Sequence, residues 1–151
     1  GMGTTLVCLS VAEETAYVGH VGDSRVYRVR DGAIEQLTED HSLLNDYLKV
    51  HKLSQEEIEN FPHKNVIVRA LGMRETVNVD VMRVEPVPGD IFVLCSDGLC
   101  GMISDDVIQN TVSEGRDDLD KACQSLIAQA NEAGGTDNIT VMLVEFAQDD
   151  A

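Results

Sequence analysis

Three aspartates stand where predicted strands meet loops. Asp97 comes just after the apolar run at residues 91–95 and precedes a glycine, while Asp23 and Asp137 stand in the similar sequences Gly-Asp-Ser and Thr-Asp-Asn. The end of a strand is a rigid point from which a fold can present a carboxylate with controlled geometry. Oxygen ligands of this kind suit Mg²⁺ or Mn²⁺, which bind a few carboxylates and retain several waters. The pattern therefore favours a divalent metal site.

Each aspartate also has an ordinary structural explanation. Asp23 is compatible with a turn acid that pairs with Arg25, and Asp97 is compatible with a simple Asp-Gly turn. Asp137 is compatible with a loop that is closed by hydrogen bonds between an Asx side chain and the backbone. Taken one at a time, the three residues leave turn chemistry and metal chemistry both open.

Composition and charge narrow the class of protein. The 151 residues are 43% hydrophobic, which is enough for one domain with a real core. The 27 acidic and 11 basic residues give a formal charge of -16, which disfavours nucleic acid and anionic membranes and favours divalent cations. No apolar run approaches the length of about 20 residues that spans a bilayer. From this and from the charge, we expect no membrane partner. The four cysteines form no C-x-x-C pair, so we expect reduced thiols in a cytoplasmic protein.

Hydrophobic periodicity predicts an α+β domain. Period-two or continuous apolar runs indicate strands at residues 6–11, 15–22, 25–30, 33–37, 66–71, 77–84, 91–95 and 139–144. Helical spacing, with Ser-x-x-Glu or Ser-Asp-Asp starts, indicates helices at residues 43–48, 54–61, 104–112 and 119–133. We expect mostly antiparallel strands with the later helices packed outside them.

Six short motifs are distributed along nearly the whole chain. They are Gly-Thr-Thr at 3–5, Gly-His-Val-Gly-Asp-Ser-Arg at 19–25, Leu-Thr-Glu-Asp-His-Ser at 37–42, Val-Arg-Ala-Leu-Gly at 68–72, Gly-Asp at 89–90 with Ser-Asp-Gly-Leu at 96–99, and Gly-Thr-Asp-Asn-Ile-Thr at 135–140. In this order they resemble the metal-dependent serine/threonine protein phosphatases, the protein phosphatase 2C family, in its bacterial branch.

The resemblance implies a fold and a mechanism. The fold is an antiparallel β-sandwich flanked by helices, and the activity is metal-dependent hydrolysis of phosphoserine and phosphothreonine in proteins that take part in signalling. In the implied mechanism, a bound Mg²⁺ or Mn²⁺ pair would hold a water or hydroxide that attacks phosphorus in line and displaces the Ser or Thr alkoxide, without a phosphoenzyme. By position in the motifs, Asp97 and Asp137 match ligands of one ion of the pair. Asp23 matches an acid that shares an additional ion with Asp97.

Other residues receive supporting roles. We assign Asn138 to orienting Asp137, and Gly98 to the immediate surroundings of the ligands. His41 is compatible with a proton donor to the leaving group, but a histidine whose ring is satisfied by neighbouring backbone is the favoured interpretation. Arg25 is expected to brace Asp23 or its loop. Residues 43–65 match the family's variable flap, which suits either substrate selection or local packing.

The match also lacks a part of the family pattern. The motif Asp-Gly-x-Gly-Gly, whose acid bridges the two metals, is absent, and Gly-Thr-Thr at residues 3–5 matches the middle of the family domain. We therefore expect residues 1–146 to form a single partial catalytic domain, incomplete at the N-terminus, with an acidic, disordered tail at 147–151. We expect negligible phosphatase activity from the chain alone, and self-association or pairing with a missing N-terminal portion. The alternatives are a non-catalytic phosphatase-like module that binds a partner or regulates it, and a plain cation-binding structural domain.

Overall fold

The computed structural model describes residues 1–63 and 66–147. Within these ranges the chain alternates short strands with two groups of helices, one in the middle and one near the end. The elements are β1 (Leu6–Ala12), β2 (Thr15–Val21), β3 (Arg25–Arg30), β4 (Ala33–Gln36), α1 (Leu43–Leu48), α2 (Gln55–Glu59), β5 (Asp80–Val84), β6 (Ile91–Cys95), α3 (Asp97–Cys100), α4 (Asp105–Glu114), α5 (Leu119–Glu132) and β7 (Val141–Glu145).

The strands form two antiparallel sheets. One has the order β1-β2-β5 and the other the order β4-β3-β6-β7. The β3–β4 hairpin turns at Asp31 and Gly32, whose φ angles of 51° and 73° are those that an Asp-Gly turn supplies. The antiparallel arrangement predicted from the alternating sequence pattern is confirmed.

The core lies in two layers. Between the sheets, β2 and β5 side chains pack against β3 and β6 in a cluster formed by Ala16, Val18, Val26, Leu37, Val84, Phe92 and Leu94. On the other face of the four-stranded sheet, a second cluster joins β3 and β6 to the helices through Tyr27, Val29, Ile91, Val93, Cys95, Leu99, Ile103, Ile108, Val112, Leu126 and Ala130. The layers are therefore sheet, sheet and helices, which confirms the predicted α+β sandwich.

Strand β6 is buried at all five positions because both of its faces are covered. Phe92 and Leu94 point into the space between the sheets, whereas Ile91 and Val93 pack against the helices. A strand held on both faces has little freedom to slip or bend. Its end is consequently a fixed platform for Asp97.

The helix starts follow the predicted capping chemistry. Ser104 accepts a hydrogen bond from the N–H of Val107 at 3.4 Å, and the predicted capping box between Ser54 and Glu57 is present in full. Helices α4 and α5 begin and end within two residues of their predicted bounds. No helix within the described ranges is long and apolar enough to cross a lipid bilayer.

Two predicted strands are wrong in whole or in part. Residues 66–71 form only two isolated bridges, between Ser42 and Ile67 and between Thr4 and Leu71, because the segment meets a different neighbour at each end. The strand predicted at 77–84 is confined to β5, since the residues before Asp80 pair with no strand of the described chain. The tail predicted at 147–151 lies, apart from Ala147, outside the described residues.

A buried ion pair fixes the start of β6. Asp90 is fully buried and accepts hydrogen bonds from Arg30 Nε and Nη2, each at 2.6 Å, and from the N–H of Val87 at 2.9 Å. Burial of the carboxylate opposes its ionisation, but the bonds from Arg30 and Val87 outweigh burial and lower the pKa of Asp90. The pair ties β3 to the turn that leads toward Asp97.

Replacing Asp90 by asparagine should therefore reduce the free energy of unfolding by about 2 kcal/mol at neutral pH, because Arg30 loses a charged acceptor. A lowered folded-state pKa means that this stabilisation is present above the unfolded-state value of about 3.9 and is lost as the pH falls through the folded-state pKa. Urea unfolding at several pH values measures both effects. The control Glu35→Gln removes the ion-pair partner of Arg28, a carboxylate that is far more exposed than Asp90. It should lower the free energy of unfolding by less than about 1 kcal/mol. Equal losses in the two variants would contradict this account.

Candidate metal centre

The three predicted metal ligands lie around one cavity. This cavity has a volume of about 470 Å³ and opens where β2 and β6 end, beside the loop before β7. Its lining combines carboxylates, small residues and a few larger side chains: Asp23, Arg25, Asp40, Ser42, Leu44, Asp97, Gly98, Cys100, Gly101, Met102, Thr136 and Asp137. Residues up to 114 positions apart in sequence, 23 and 137, thus meet at one surface.

Asp97 is positioned by the elements on either side of it. It is the first residue of α3, so the Asp97-Gly98 sequence opens a short helix and is not a simple turn. Leu99 in the same helix is completely buried in the core and anchors it. Ser96 joins the end of β6 to the loop before β7, because its N–H donates to the Thr140 carbonyl at 3.0 Å and its hydroxyl accepts from the Thr140 N–H at 3.0 Å.

Asp137 is oriented by the backbone of the next residue. The N–H of Asn138 donates to Asp137 Oδ1 at 2.7 Å. The support that the sequence assigned to Asn138 is therefore given by its main chain, and among the contacts of the described residues its side-chain amide has none with Asp137. The Asn138 carbonyl also accepts a hydrogen bond from the Ser96 hydroxyl at 3.2 Å, which links this loop to Asp97.

Gly98 permits the close approach of the two ligand-bearing segments. A Cβ atom at this position would overlap the carbonyl group of Asn138. The Asn138 backbone cannot easily move away, because the Ser96 hydroxyl is hydrogen-bonded to the Asn138 carbonyl and to the Thr140 N–H. The absence of a side chain at Gly98 thus lets Asp97 and Asp137 share the same wall of the cavity.

Asp23 is the most buried of the three carboxylates. Only 9% of it is exposed, and the pKa of Asp23 is raised first by burial and then by the negative charge of Asp97. Burial of Asp23 and the nearby charge of the exposed Asp97 together favour binding of a proton or a cation at Asp23.

Arg25 does not pair with Asp23, contrary to the turn interpretation. Its Nε and Nη2 donate to Asp40 at 2.8 and 2.7 Å, and its Nη1 donates to the Tyr27 hydroxyl at 2.8 Å. Arg25 therefore braces the loop that contains Asp40 and leaves the charge of Asp23 to be balanced by another group. The sequence signal for Asp40 is its place in the 37–42 motif. Its pairing with Arg25 was not predicted from the sequence.

His41 lies behind the cavity and is not part of its lining. Its ring is only 4% exposed, with Nδ1 accepting from the N–H of Gly22 at 3.0 Å and Nε2 lying 3.1 Å from Asp80 Oδ2. Burial is the main cause of the lowered pKa of His41. Both ring nitrogens are occupied, which supports the interpretation as a satisfied histidine. The partnership with Asp80 and the stacking on His20 at 4.5 Å were not predicted from the sequence.

The donor types suit a hard divalent cation, although the oxygens of the three aspartates do not all lie within 4.8 Å of one another, a spacing that among the described residues only His20, His41 and Asp80 reach. Asp23, Asp97 and Asp137 offer oxygen atoms only, and the cavity has space for the waters that Mg²⁺ and Mn²⁺ retain. The raised pKa of Asp23 shows that burial and the Asp97 charge disfavour its ionised form, and a bound cation would favour that form.

Comparison with known proteins gives one consistent family. A family model described as protein phosphatase 2C matches residues 1–143. Protein phosphatase PhpP of Streptococcus pneumoniae is 42% identical over 151 residues, which are 100% of this chain and 61% of that protein.

Solved structures agree with the sequence comparison. The serine/threonine phosphatase PstP of Mycobacterium tuberculosis superposes with a TM-score of 0.91 and 33% identity, covering 98% of this chain and 62% of the solved chain. A structure of the PstP catalytic domain in complex with two manganese ions gives a TM-score of 0.85 and 32% identity, with 98% and 60% covered. The chain thus spans about three fifths of the length of the relatives that it matches.

Replacing Gly98 by alanine should displace the Asn138 loop and separate the two ligands. We expect a loss of about 1–3 kcal/mol in the free energy of unfolding, typical of an overpacked site, together with weaker Mn²⁺ binding in calorimetric titration. The control Gly32→Ala meets open space at a φ of 73°, far from the cavity, and should cost about 1 kcal/mol without weakening Mn²⁺ binding. If both variants bind Mn²⁺ equally well, the close approach at Gly98 does not shape the site.

Proposed function

This chain belongs to the protein phosphatase 2C family, and from that premise we propose that it forms part of a metal-dependent serine/threonine protein phosphatase. The proposed substrates are phosphoserine and phosphothreonine in proteins, and the proposed cofactor is Mg²⁺ or Mn²⁺. The observation that carries the proposal is the meeting of Asp23, Asp97 and Asp137 at one cavity, where the Asp97 charge contributes to raising the pKa of Asp23. Oxygen ligands in that arrangement favour divalent ions.

The proposed roles follow from position in the cavity. Asp97 lies at the end of the fully buried β6, so it is the ligand whose place is most firmly fixed, and we assign it to both the catalytic pair and an additional ion. Asp137 joins it at the pair, and Asp23 joins it at the additional ion. When bound, the ions would supply Lewis-acid stabilisation of the phosphoryl oxygens and lower the pKa of a water molecule toward neutrality.

The chain's own charges make phosphate binding depend on cations. The cavity lining contains a single basic side chain, Arg25, and its guanidinium is engaged by Asp40 and Tyr27. A phosphoryl group that entered the cavity would meet four carboxylates, of which only Asp40 is paired with Arg25, and a chain with a formal charge of -16. Without divalent ions the phosphate would be repelled. Residues 43–65, of which Leu44 lines the cavity and 64–65 lie outside the described residues, are proposed as a flap that selects among phosphoproteins.

We further propose that residues 1–146 are a partial catalytic domain that works with a further N-terminal portion. Support comes from the relatives' greater length and from the apolar surface of the β1-β2-β5 sheet, where Leu6, Val11 and Val81 are 49%, 51% and 67% exposed. Such surface favours pairing with that portion or self-association. The four free cysteines suit the reducing cytoplasm, where we place the protein in phosphorylation signalling.

The first test compares the chain with a chimera. In the chimera, the N-terminal portion of the Streptococcus pneumoniae relative precedes this chain and supplies the bridging acid that the family pattern expects. Hydrolysis of p-nitrophenyl phosphate and of a phosphothreonine peptide is measured with Mn²⁺ and with chelator. We expect Mn²⁺-dependent turnover from the chimera and negligible turnover from the 151-residue chain. Robust turnover by the chain alone would overturn the requirement for an N-terminal portion, and an inactive, folded chimera would count against the phosphatase function.

A second test separates catalysis from structural cation binding. In the chimera, Asp97→Asn should lower kcat/KM by about 100-fold or more, since the ligand supports several kcal/mol of transition-state stabilisation. The melting temperature in chelator should change little. The control Asp106→Asn removes an exposed carboxylate at the start of α4 and should leave activity intact. If Asp97→Asn alters only the melting temperature, the protein is a structural cation-binding domain.

A further inference from the structure

A group of polar side chains, two of them buried and one exposed, lies behind the metal centre. His20 and His41 are 6% and 4% exposed, and their rings stack with centroids 4.5 Å apart. Asp80, in β5, lies at the edge of the His41 ring. One potential ligand atom from each of the three residues lies within 4.8 Å of the others, a spacing that would suit a metal ion. The hydrogen bonds of the group decide between a second metal site and another role.

The hydrogen bonds fix the tautomer of His41. A backbone N–H can only donate, so the bond from Gly22 at 3.0 Å requires a lone pair on His41 Nδ1. The ring proton of neutral His41 then resides on Nε2, from which it is donated to Asp80 Oδ2 at 3.1 Å. Asp80 is held as a carboxylate by Arg69, whose Nη1 donates to Asp80 Oδ1 at 2.6 Å. Arg69, Asp80 and His41 thus form an ordered relay that ends on the backbone of Gly22.

The same hydrogen bonds argue against a metal ion in this group. A cation on His41 Nε2 would require the proton to move to Nδ1, where it would face the N–H of Gly22. His20 Nε2 lies 2.8 Å from the Glu39 carbonyl, which can only accept, so neutral His20 donates from Nε2 and carries its lone pair on Nδ1. Within the described part of the chain, no buried side-chain polar atom of this group is left without a partner. Both ring nitrogens of His41 and both carboxylate oxygens of Asp80 are therefore hydrogen-bonded without an ion.

His41 holds the residue that precedes a metal ligand. Its ring accepts from the N–H of Gly22, and its own backbone N–H donates to the Gly22 carbonyl at 2.9 Å. Both polar groups of Gly22 are thus bound by one residue, at a backbone position whose φ of 112° lies in the region that favours glycine. On the far side of Asp23, the hydroxyl of Ser24 lies 2.9 Å from that of Thr5. Asp23 stands between two anchored neighbours.

We propose that His41 is a positioning residue: it directs the Asp23 carboxylate into the metal centre by binding Gly22, in the tautomer that Asp80 and Arg69 impose. This inference rests on the proposed function, because the direction of Asp23 matters only if Asp23 holds an ion. It also excludes His41 as the proton donor in phosphate hydrolysis, since its Nε2–H donates a hydrogen bond to Asp80 and not to a leaving group. Partners that orient a metal ligand typically change metal affinity 10- to 100-fold.

Two substitutions of His41 separate its two hydrogen bonds. In His41→Asn, the amide oxygen reaches the place of Nδ1 and can still accept from Gly22, whereas the contact with Asp80 is lost. In His41→Gln, the longer amide reaches the place of Nε2, so the contact with Asp80 is kept and the acceptor for Gly22 is lost. Both variants remove the ring that stacks on His20, so they share the loss of packing.

The experiment measures Mn²⁺ affinity of the chimera and of both variants by electron paramagnetic resonance titration, beside their melting temperatures in chelator. We expect His41→Gln to weaken Mn²⁺ binding about 10-fold or more, and His41→Asn to bind at least about fivefold more tightly than His41→Gln at a similar melting temperature. Equal affinities in the two variants, with a parent that binds Mn²⁺, would overturn the positioning role alone. A parent that binds no Mn²⁺ would overturn the proposed function and, with it, this role.

The hydrogen-bond relay has its own readout in metal-free protein. Long-range ¹H–¹⁵N spectra distinguish the two neutral tautomers of histidine, and we expect His41 with the proton on Nε2. A proton on Nδ1, or binding of Zn²⁺ to the His41 ring in an Asp23→Asn chimera, would overturn the inference and indicate a separate metal site.

Discussion

The meeting of the Asp23, Asp97 and Asp137 carboxylates at one cavity is the feature on which the rest of the structure depends. Burial and, to a lesser degree, the charge of Asp97 raise the pKa of Asp23, and the fold nevertheless holds this carboxylate at the same cavity as Asp97. It does so with rigid elements, since Asp97 follows a strand that is covered on both faces and Asp23 follows a strand in the opposite sheet. A divalent cation is the partner that makes such an arrangement favourable.

Several separate contacts hold the loops that bear the ligands. Asp90 and Arg30 secure the entry to β6, the glycine at position 98 lets the Asn138 loop approach, and His41 binds the backbone before Asp23. Arg25, the basic residue of the cavity, is hydrogen-bonded to Asp40 and forms no hydrogen bond with Asp23, Asp97 or Asp137 among the described contacts. The basic groups near the centre therefore brace loops, and the negative charge of the cavity remains available to cations.

The sequence predicts those parts of the molecule that depend on local pattern. The continuous apolar run of β6, the amphipathic α5 and the Asp-Gly hairpin were recognisable because periodicity and turn chemistry reflect burial directly. The grouping of Asp23, Asp97 and Asp137 was foreseen through the order of the motifs. It was not foreseeable from spacing, since these residues come from three distant segments.

The rest depends on partners that only the folded chain brings together. Residues 66–71 are apolar enough for a strand, yet periodicity cannot show that their neighbours change at each end. Arg25 lies two positions from Asp23 in the sequence. In the folded chain, however, the β3–β4 hairpin places Asp40 within 2.7 Å of the Arg25 guanidinium. The relay from Arg69 through Asp80 to His41 joins residues up to 39 positions apart. Neither periodicity nor motif order predicts these contacts.

The central claim is that these three aspartates hold divalent cations, and anomalous diffraction from crystals of the chimera soaked in Mn²⁺ tests it most directly. The account predicts manganese peaks at about 2.1 Å from Asp97 oxygens, shared with Asp137 at one site and with Asp23 at another. It would be contradicted by density that shows no manganese at Asp97, or by a peak confined to the group of His20, His41 and Asp80.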